Sequence, residues 1–328
     1  MYVVTGGAGF IDSNIVAALE RRGARDIVVI DRLRHGDKWR NVSKRCLADI
    51  VHPDRTLEFL ESHAGKVEAV IHMGAISSTT ETDADKILAN NFSLTLALWK
   101  WCTARGVRFI YASSAATYGD GTRGFVDAFG EEPLSHLRPM NPYGWSKHLF
   151  DRRVAAKVAA GLATPPQWAG LKFFNVYGPN EYHKGAQQSV IAQVYPRAAA
   201  DAHCLLFKSH NPDYADGGQM RDFVWVGDCA DVVTWLLDTP KVSGLFNLGT
   251  GQARSFLDLA SGVYRALGKT PKIKFLDTPV EIRDRYQYFT QADVRSLRAA
   301  GYDRPFTSLE SGIQQYVVNY LHTDDPYV

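Results

Sequence analysis

A tyrosine and a lysine four residues apart form the clearest candidate acid/base pair in the sequence. Tyr143 and Lys147 lie in the segment Asn-Pro-Tyr-Gly-Trp-Ser-Lys, which has the pattern of a helix start. At this spacing both side chains lie on one helix face. A lysine held there would lower the pKa of the tyrosine electrostatically. Because such pairs often arise by chance, Ser114 is needed as support: it follows a predicted strand and would bring a hydroxyl to the carboxyl edge of the sheet.

A glycine-rich turn near the start of the chain gives further support. Gly6, Gly7 and Gly9 lie between the first predicted strand and the first predicted helix, and Asp31 ends the next strand 22 residues after Gly9. Backbone amides and a positive helix end bind pyrophosphate in such a turn, and the acidic side chain meets the adenosine ribose. The pattern predicts a dinucleotide site rather than an incidental tight turn. Combined with the acid/base pair, whose lysine would also hold the nicotinamide ribose, it predicts hydride transfer.

Asp12 stands where the dinucleotide fingerprint has its third glycine. That glycine normally lets the helix pack closely against the sheet. A carboxylate there suits the positive helix end but would repel a pyrophosphate. The sequence leaves open whether Asp12 turns outward as a helix cap, is an isolated sequence change, or blocks the cofactor.

Two basic residues beside Asp31 favour NADP over NAD. Arg32 and Lys38 could bind a 2′-phosphate, whereas Asp31 alone suits an unphosphorylated ribose. The alternative is that both basic side chains lie in a solvated loop.

The elements that would position these residues alternate between short β-branched runs and helical stretches, as in a parallel sheet with helices on both faces. The 328 residues suffice for two domains or one two-lobed unit. We predict an α/β fold, a Rossmann doubly wound parallel sheet with a smaller C-terminal substrate-binding lobe. The predicted strands are Tyr2–Thr5, Ile27–Ile30, Arg45–Leu47, Ala69–His72, Arg108–Ala112 and Gly170–Phe174, and the first helix is Ser13–Arg22.

The domain boundaries are predicted from a change in composition after Gly178, where prolines break the chain into short elements. We expect a dinucleotide-binding domain over residues 1–174, to which the chain returns at about 221–244. The substrate-binding lobe would comprise residues 175–220 and 245–328.

The composition excludes several classes of protein. The 37 basic and 35 acidic residues leave a net charge of +2 with no long basic run, so neither nucleic acid nor a membrane surface is an expected partner. The four cysteines are isolated and lack histidines at metal-ligand spacing, so we expect no metal site and a reducing compartment. The chain opens directly on a strand pattern and has no apolar run of about 18 residues, so we expect a cytoplasmic protein.

Several segments resemble a known family. Arg221–Asp228 and Phe246–Gly251 resemble the extended short-chain dehydrogenase/reductases that act on nucleotide sugars, and the resemblance spans nearly the whole chain. His72–Glu81, Phe174–Gly185 and Arg285–Asp293 are similar to the narrower group of ADP-L-glycero-D-manno-heptose 6-epimerases.

The resemblance implies an isomerase of lipopolysaccharide inner-core biosynthesis. It would convert ADP-D-glycero-D-manno-heptose to ADP-L-glycero-D-manno-heptose at carbon 6, by transient oxidation to a ketone with tightly bound NADP. Tyr143 and Lys184 match the two acid/base residues, although Lys184 could be a solvated loop lysine. Ser114 matches the residue that hydrogen-bonds the reacting oxygen, and Lys147 the one that positions the ribose and tunes the tyrosine. The family precedent also implies a homo-oligomer, a pentamer.

The resemblance also assigns contacts. The implied cofactor contacts are Gly6, Gly9, Phe10, Ile11, Asp31, Arg32, Lys38, Met73, Gly74, Ala75, Ile76, Ser77, Asn90, Lys147 and Val176. The implied substrate contacts are Asn175, Phe207, Lys208, Ser209, His210, Arg221 and Tyr286. A guanidinium fork such as that of Arg221 suits a diphosphate, with an ion pair to Asp222 as the alternative.

Some positions depart from the family pattern. Met73 stands where Glu is common, Pro53 where a cofactor-binding Lys can occur, and Gln193 where a substrate-binding His can, and the segment 209–220 is long. Another nucleotide-sugar epimerase of the UDP-sugar 4-epimerase type remains an alternative, as does a non-catalytic dinucleotide-binding module if Asp12 blocks the cofactor. A 4,6-dehydratase is disfavoured because no Asp-Glu pair adjoins Thr117, and a purely structural protein would not need these groups together.

Overall fold

The computed structural model describes residues 1–283 and 286–328, so Arg285 of the third narrower segment lies outside the described residues. The strands are β1 Tyr2–Thr5, β2 Ile27–Ile30, β3 Asp49–Val51, β4 Ala69–His72, β5 Arg108–Ser114, β6 Trp168–Phe173, β7 Asn175–Tyr177, β8 Cys204–Phe207, β9 Met220–Trp225, β10 Gly244–Leu248, β11 Ala253–Ser255 and β12 Ile273–Leu276. The α-helices are α1 Phe10–Arg21, α2 Thr56–Ser62, α3 Ala84–Ile87, α4 Leu94–Arg105, α5 Glu131–Ser135, α6 Pro142–Ala159, α7 Val190–Ala199, α8 Val226–Asp238, α9 Phe256–Ala266, α10 Val280–Arg283, α11 Arg295–Ala299 and α12 Leu309–Tyr316.

Seven parallel strands form the central sheet in the order β10-β6-β5-β4-β1-β2-β3. Successive side chains of a strand point to opposite faces, and both faces are covered here. Val4 belongs to the core under α1 and α8, whereas Val3 belongs to the core under α4 and α6. This is the predicted Rossmann-type α/β fold. The strand order reverses between β1 and β4, and the carboxyl ends of these two strands therefore border the crevice in which such sheets bind ligands.

The strand predicted at Arg45–Leu47 is wrong, because β3 lies at Asp49–Val51. The apolar residue of the predicted segment, Leu47, packs instead on the core beneath α1. Arg45 is held by an ion pair with Glu20 at 2.6 Å. The true strand is a short edge strand with two exposed residues, so it lacks the continuous apolar run by which a central strand is recognised.

A smaller lobe is built on two short sheets, one of β11, β9 and β7 and the other of β12 and β8. They share a separate core with α7, α9 and α12, to which Ile191, Val263 and Ile313 contribute. From β9 the chain enters α8, which packs on α1, and then returns to the large sheet as β10. Residues 245–248, expected in the lobe, are therefore part of the large sheet.

Two classes of feature are missing from the described part of the chain. None of its helices combines the length and the apolar character needed to cross a bilayer. Among residues 1–283 and 286–328, no three or more His, Cys, Asp and Glu side chains are grouped as metal ligands.

Candidate active site

The glycine turn brings two strand ends into close contact. Gly6 has φ +73°, and a Cβ on it would lie 2.6 Å from the backbone of Gly74, just after β4. Only glycine combines this backbone conformation with so close an approach. Gly9 then serves as the N-cap of α1, and no side chain in the described residues caps the helix there. Among the described residues the amides of Phe10 and Ile11 have no acceptor and are left for a ligand, whereas the amide of Asp12 bonds its own carboxyl group.

Asp31 closes the other side of this turn. Its carboxylate accepts hydrogen bonds from the backbone N–H of Ala8 at 3.0 Å and from Lys38 Nζ at 2.6 Å. The guanidinium of Arg32 lies 2.6 Å from a carboxylate oxygen of Asp54. Each basic side chain thus has a carboxylate partner, Lys38 in Asp31 after β2 and Arg32 in Asp54 after β3.

Asp12 does not turn outward as a cap. Its side chain is 8% exposed, and its Oδ1 has no hydrogen-bond partner among the described residues. Burial and the charge of Asp31 raise the pKa of Asp12 well above its ordinary value, against the opposing charges of Lys38 and Lys147.

The segment after β4 is tied to the catalytic helix. Asn91 accepts a hydrogen bond from the N–H of Ile76 and donates to Ser146 on α6, at 2.8 and 3.1 Å. Met73, at one of the positions that depart from the family pattern, is buried in the core beneath this segment. Asn90 donates to the carbonyl of Lys86 within its own helical turn. Asn91, which the sequence analysis did not single out, therefore fixes the predicted cofactor segment 73–77 against α6.

The predicted acid/base pair lies at the start of α6, as expected. Asn141 caps the helix by accepting a hydrogen bond from the N–H of Gly144 at 2.8 Å. A Cβ on Gly144 would lie 2.7 Å from the carbonyl oxygen of Ala116, so this glycine lets α6 approach the end of β5. The approach brings the hydroxyl of Tyr143 to Ser114.

Burial dominates the protonation of this pair. It raises the pKa of Tyr143, and the hydrogen bond with Ser114 only partly opposes the shift. The predicted net lowering of the tyrosine pKa by Lys147 is wrong, because desolvation raises this pKa and the opposing contribution comes from Ser114. Lys147 is itself buried, and desolvation lowers its pKa to about 8 although Asp151 and Asp12 act in the opposite direction.

A buried charge cluster lies beneath the pair. Asp151, one helical turn after Lys147, accepts hydrogen bonds from Ser113 and Lys172 at 2.6 and 2.7 Å. Lys172 also donates to Thr117 at 2.7 Å. The i, i+4 spacing from Lys147 would have indicated Asp151, but the sequence analysis missed it.

Lys184 lies in a loop that asparagines fasten to the glycine turn. Asn41 donates to the carbonyls of Ala8 and Asn180, each at 2.9 Å. Asn180, fully buried with φ +74°, donates to Ser13 on α1 at 2.9 Å. These contacts join residues 33, 139 and 167 positions apart, and no local pattern in the sequence indicates them.

The Lys184 ammonium lies over the ring of Phe10, 4.9 Å from its centroid. Burial lowers the pKa of Lys184, and Glu181 opposes this shift. The solvated-loop interpretation is therefore wrong. The ammonium group lies against Phe10, the first residue of α1, and so beside the dinucleotide turn.

Arg221 is the centre of the predicted substrate contacts. Its guanidinium lies 5.7 Å from the ring centroids of both Phe256 and Tyr286. The alternative interpretation, an ion pair between Arg221 and Asp222, is wrong. The Asp222 carboxylate instead accepts hydrogen bonds from the backbone N–H and the Oγ1 of Thr250 and from the backbone N–H of Ala292. Burial lowers the pKa of Arg221, and no carboxylate in the described residues forms a salt bridge with it. Its charge is thus free for an anionic ligand.

The remaining predicted substrate residues border this arginine. Phe207 and His210 pack edge-on against Tyr286, with ring centroids 6.5 and 6.2 Å apart. Lys208 pairs with Asp277, and the N–H of Ser209 donates to Asp216, which folds the long segment 209–220 back on itself. On the neighbouring strand β7, Asn175 is exposed and pairs in register with Phe223 of β9, while Val176 is half-buried.

The other two residues that depart from the family pattern, Pro53 and Gln193, lie away from these predicted substrate contacts. Pro53 begins a short 3₁₀ helix after β3. Gln193 on α7 donates to the carbonyl of Gln188 at 2.7 Å, and so steadies the segment that follows Lys184.

Three features of the site fit a nicotinamide dinucleotide: the helix end without a side-chain cap, the glycine turn and Asp31. Asp12 is the one group that does not fit.

Comparisons with known proteins agree with a dinucleotide site. Residues 2–249 match the model of the NAD dependent epimerase/dehydratase family. The chain is 47% identical to the ADP-L-glycero-D-manno-heptose-6-epimerase of Nitratidesulfovibrio vulgaris strain DP4, over the full length of both chains.

Two solved structures are also similar. The ADP-L-glycero-D-manno-heptose-6-epimerase of Helicobacter pylori matches with a TM-score of 0.78 and 25% identity, over 97% of this chain and 95% of the other. The UDP-glucose 4-epimerase of Thermus thermophilus, solved with NAD, matches with a TM-score of 0.72 and 26% identity, over 96% and 97%. The chain belongs to the NAD-dependent epimerase/dehydratase family, as its glycine turn, Tyr143 and Lys147 indicate.

Proposed function

We propose that this chain interconverts ADP-D-glycero-D-manno-heptose and ADP-L-glycero-D-manno-heptose by inversion at carbon 6, for lipopolysaccharide inner-core biosynthesis. The observation that carries the proposal is the presence of two half-buried acid/base groups near one dinucleotide turn. Lys184 lies over Phe10 of α1, and Tyr143 lies on α6 four residues before Lys147, whose charge acts on Asp12 of the turn. Inversion requires a proton acceptor for each of two hydroxyl configurations. Similarity to proteins named as this epimerase supports the choice of sugar.

When bound, the nicotinamide would take a hydride from carbon 6 and return it to the opposite face, so that no net oxidation results. Tyr143 and Lys184 would each accept the hydroxyl proton of one epimer and return it to the other. Ser114 would donate a hydrogen bond to the reacting oxygen. Burial lowers the pKa of the Lys184 ammonium, so a larger fraction of this lysine than of an exposed one is neutral and able to accept a proton. Lys147, with a pKa of about 8, keeps a largely positive charge beside the tyrosine at neutral pH.

We infer that the dinucleotide is NADP. Lys38 and Arg32 both lie at the end of β2, where the adenosine ribose of a dinucleotide is received. Both side chains could turn from their carboxylate partners, Asp31 and Asp54, to a 2′-phosphate. Denaturing the purified protein and identifying the released dinucleotide tests this inference. NADP is expected, and NAD alone would overturn it.

The ADP moiety would lie across the smaller lobe. The guanidinium of Arg221, which has no carboxylate partner among the described residues, would bind the diphosphate, with Tyr286 and Phe207 forming aromatic walls beside it. The family resemblance further supports a cytoplasmic homo-oligomer, a pentamer. Light scattering on the eluted peak from size-exclusion chromatography measures the number of subunits.

The decisive experiment supplies ADP-D-glycero-D-manno-heptose and follows the configuration at carbon 6 by NMR. We expect conversion by the chain and a loss of about 10²–10⁴-fold in Tyr143→Phe and in Lys184→Ala, as is usual when a general acid or base is removed. Lys274→Ala, at an exposed lysine of β12, is the control and should keep the activity. Turnover of UDP-galactose without turnover of the heptose would favour a UDP-sugar 4-epimerase instead.

A further inference from the structure

Asp12 lies on the ligand side of the glycine turn. Its Oδ2 contacts the backbone of Gly9 so closely that a Cβ on Gly9 would collide with it. Gly9 is the N-cap of α1, and the partial positive charge of a helix is concentrated at that end. The carboxyl group of Asp12 thus lies at the helix end to which a dinucleotide brings its diphosphate.

This carboxyl has no hydrogen-bond partner for its Oδ1 in the described residues, although its side chain is more than nine-tenths buried. The charged groups that face it are Asp31 after β2, Lys38 after the same strand, and Lys147 on α6. A buried carboxylate without a full set of donors is less stable than an exposed one, so it ionises at a higher pH than an exposed aspartate does. The raised pKa of Asp12 has the same cause.

We propose that Asp12 couples dinucleotide binding to the uptake of one proton. At a pH above its own pKa the carboxyl of the unliganded chain is ionised, and the charges of Lys38 and Lys147 favour this form. A diphosphate placed beside it favours the neutral acid, because two like charges in a buried site repel each other. In the neutral form one carboxyl oxygen carries a hydrogen that can be donated to a phosphate oxygen. Asp12 thereby sets the affinity for the cofactor, and the proposal rests on the dinucleotide site but not on the identity of the sugar.

The test measures the dissociation constant of NADH by its fluorescence between pH 5.5 and 7.5, for the unchanged chain, Asp12→Asn and Asp12→Gly. NADH is the probe because it lacks the 2′-phosphate, which titrates near pH 6. Lys147, with a pKa of about 8, and His183, with a pKa lowered by burial to about 4, are present in all three proteins, so the comparison with Asp12→Asn separates their titration from that of Asp12. Asp12→Asn keeps the size of the side chain and removes its charge, whereas Asp12→Gly removes both.

We expect the dissociation constant of the unchanged chain to rise with pH, by up to about tenfold per unit for one linked proton. Both variants should bind more tightly at pH 7.5 and with little dependence on pH. Calorimetry in two buffers of different ionisation enthalpy should show proton uptake by the unchanged chain and none by Asp12→Asn.

Three results would overturn the proposal. One is an equal pH profile for the unchanged chain and Asp12→Asn. Another is tight binding restored by Asp12→Gly alone, which would make the obstacle one of size rather than charge. Failure of all three proteins to bind both NADH and NADPH would remove the dinucleotide site itself, and with it the proposed function. In contrast, normal NADH linkage without heptose turnover would leave the present inference standing and overturn only the choice of substrate.

Discussion

At the scale of single residues, burial shifts the proton affinity of the acid/base groups in opposite directions. Desolvation favours the neutral form of every group, so it raises the pKa of Tyr143 and lowers those of Lys147 and Lys184. As a result, the phenol holds its proton more tightly and the two ammonium groups release theirs more readily. Lys184 therefore loses its proton more easily than an exposed lysine does, whereas Tyr143 loses its proton less easily than an exposed tyrosine does.

The Asp151–Lys172 pair provides a test of buried charge at this scale. Both side chains are 0% exposed and lie 2.7 Å apart. Asp151→Asn would leave Lys172 with an uncompensated buried charge, and we expect it to lower the free energy of unfolding by about 3–5 kcal/mol. Urea denaturation measures this loss. The control is Asp231→Asn, which removes a half-exposed surface pair with Arg304 and should cost at most about 1 kcal/mol. Equal losses in the two variants would contradict the argument.

Single residues also show the limit of prediction from sequence. Tyr143, Lys147 and Ser114 were predicted, because the tyrosine and lysine share a helix face and the serine follows a strand. The burial of Asp12 could not be predicted, because local sequence does not tell which way a first-turn side chain points. The net pKa of Tyr143 was also missed, because desolvation depends on packing by distant segments.

At the scale of elements, strand order follows from buried apolar runs, whereas the loop that carries Lys184 is held by polar contacts. Five of the six predicted strands lie where expected, and the exception is the exposed edge strand β3. The loop instead depends on side-chain amides that pair with backbone carbonyls far along the chain. Such pairs have no periodicity, so sequence analysis finds the lysine but not what holds it.

Asn41 is the residue by which this contact between elements can be tested. Asn41→Ala would leave the carbonyls of Ala8 and Asn180 without their shared donor, at an expected cost of about 1–3 kcal/mol in the free energy of unfolding. Hydrogen exchange should accelerate in residues 178–185 more than in β4. Asn319→Ala, at an exposed position, is the matched control and should change neither quantity. Uniform acceleration across the sheet would mean that Asn41 stabilises the whole fold rather than this loop.

At the scale of the whole molecule, the large sheet and the smaller lobe provide different parts of the proposed site. The crevice beside β1 and β4 provides the dinucleotide turn, while β7, β9 and the segments around them provide Arg221 and its aromatic neighbours. A ligand that binds only the folded chain stabilises all of it, by about 2.7 kcal/mol at a free concentration about 100 times its dissociation constant. Thermal unfolding therefore reports on the cofactor without any assay of turnover.

The choice between NADP and NAD can be made in this way. We expect NADP to raise the melting temperature more than NAD at equal concentration, and each tenfold difference in affinity adds about 1.4 kcal/mol of stabilisation. Arg32→Ala and Lys38→Ala should reduce the NADP effect, because they remove the charges at the end of β2, and should spare most of the NAD effect. Lys38→Ala is the sharper variant, since Lys38 Nζ lies 2.6 Å from Asp31. Its removal frees that carboxylate, which would repel a 2′-phosphate but can still accept a ribose hydroxyl. Equal losses for both dinucleotides would show that these side chains support the turn and do not select the phosphate.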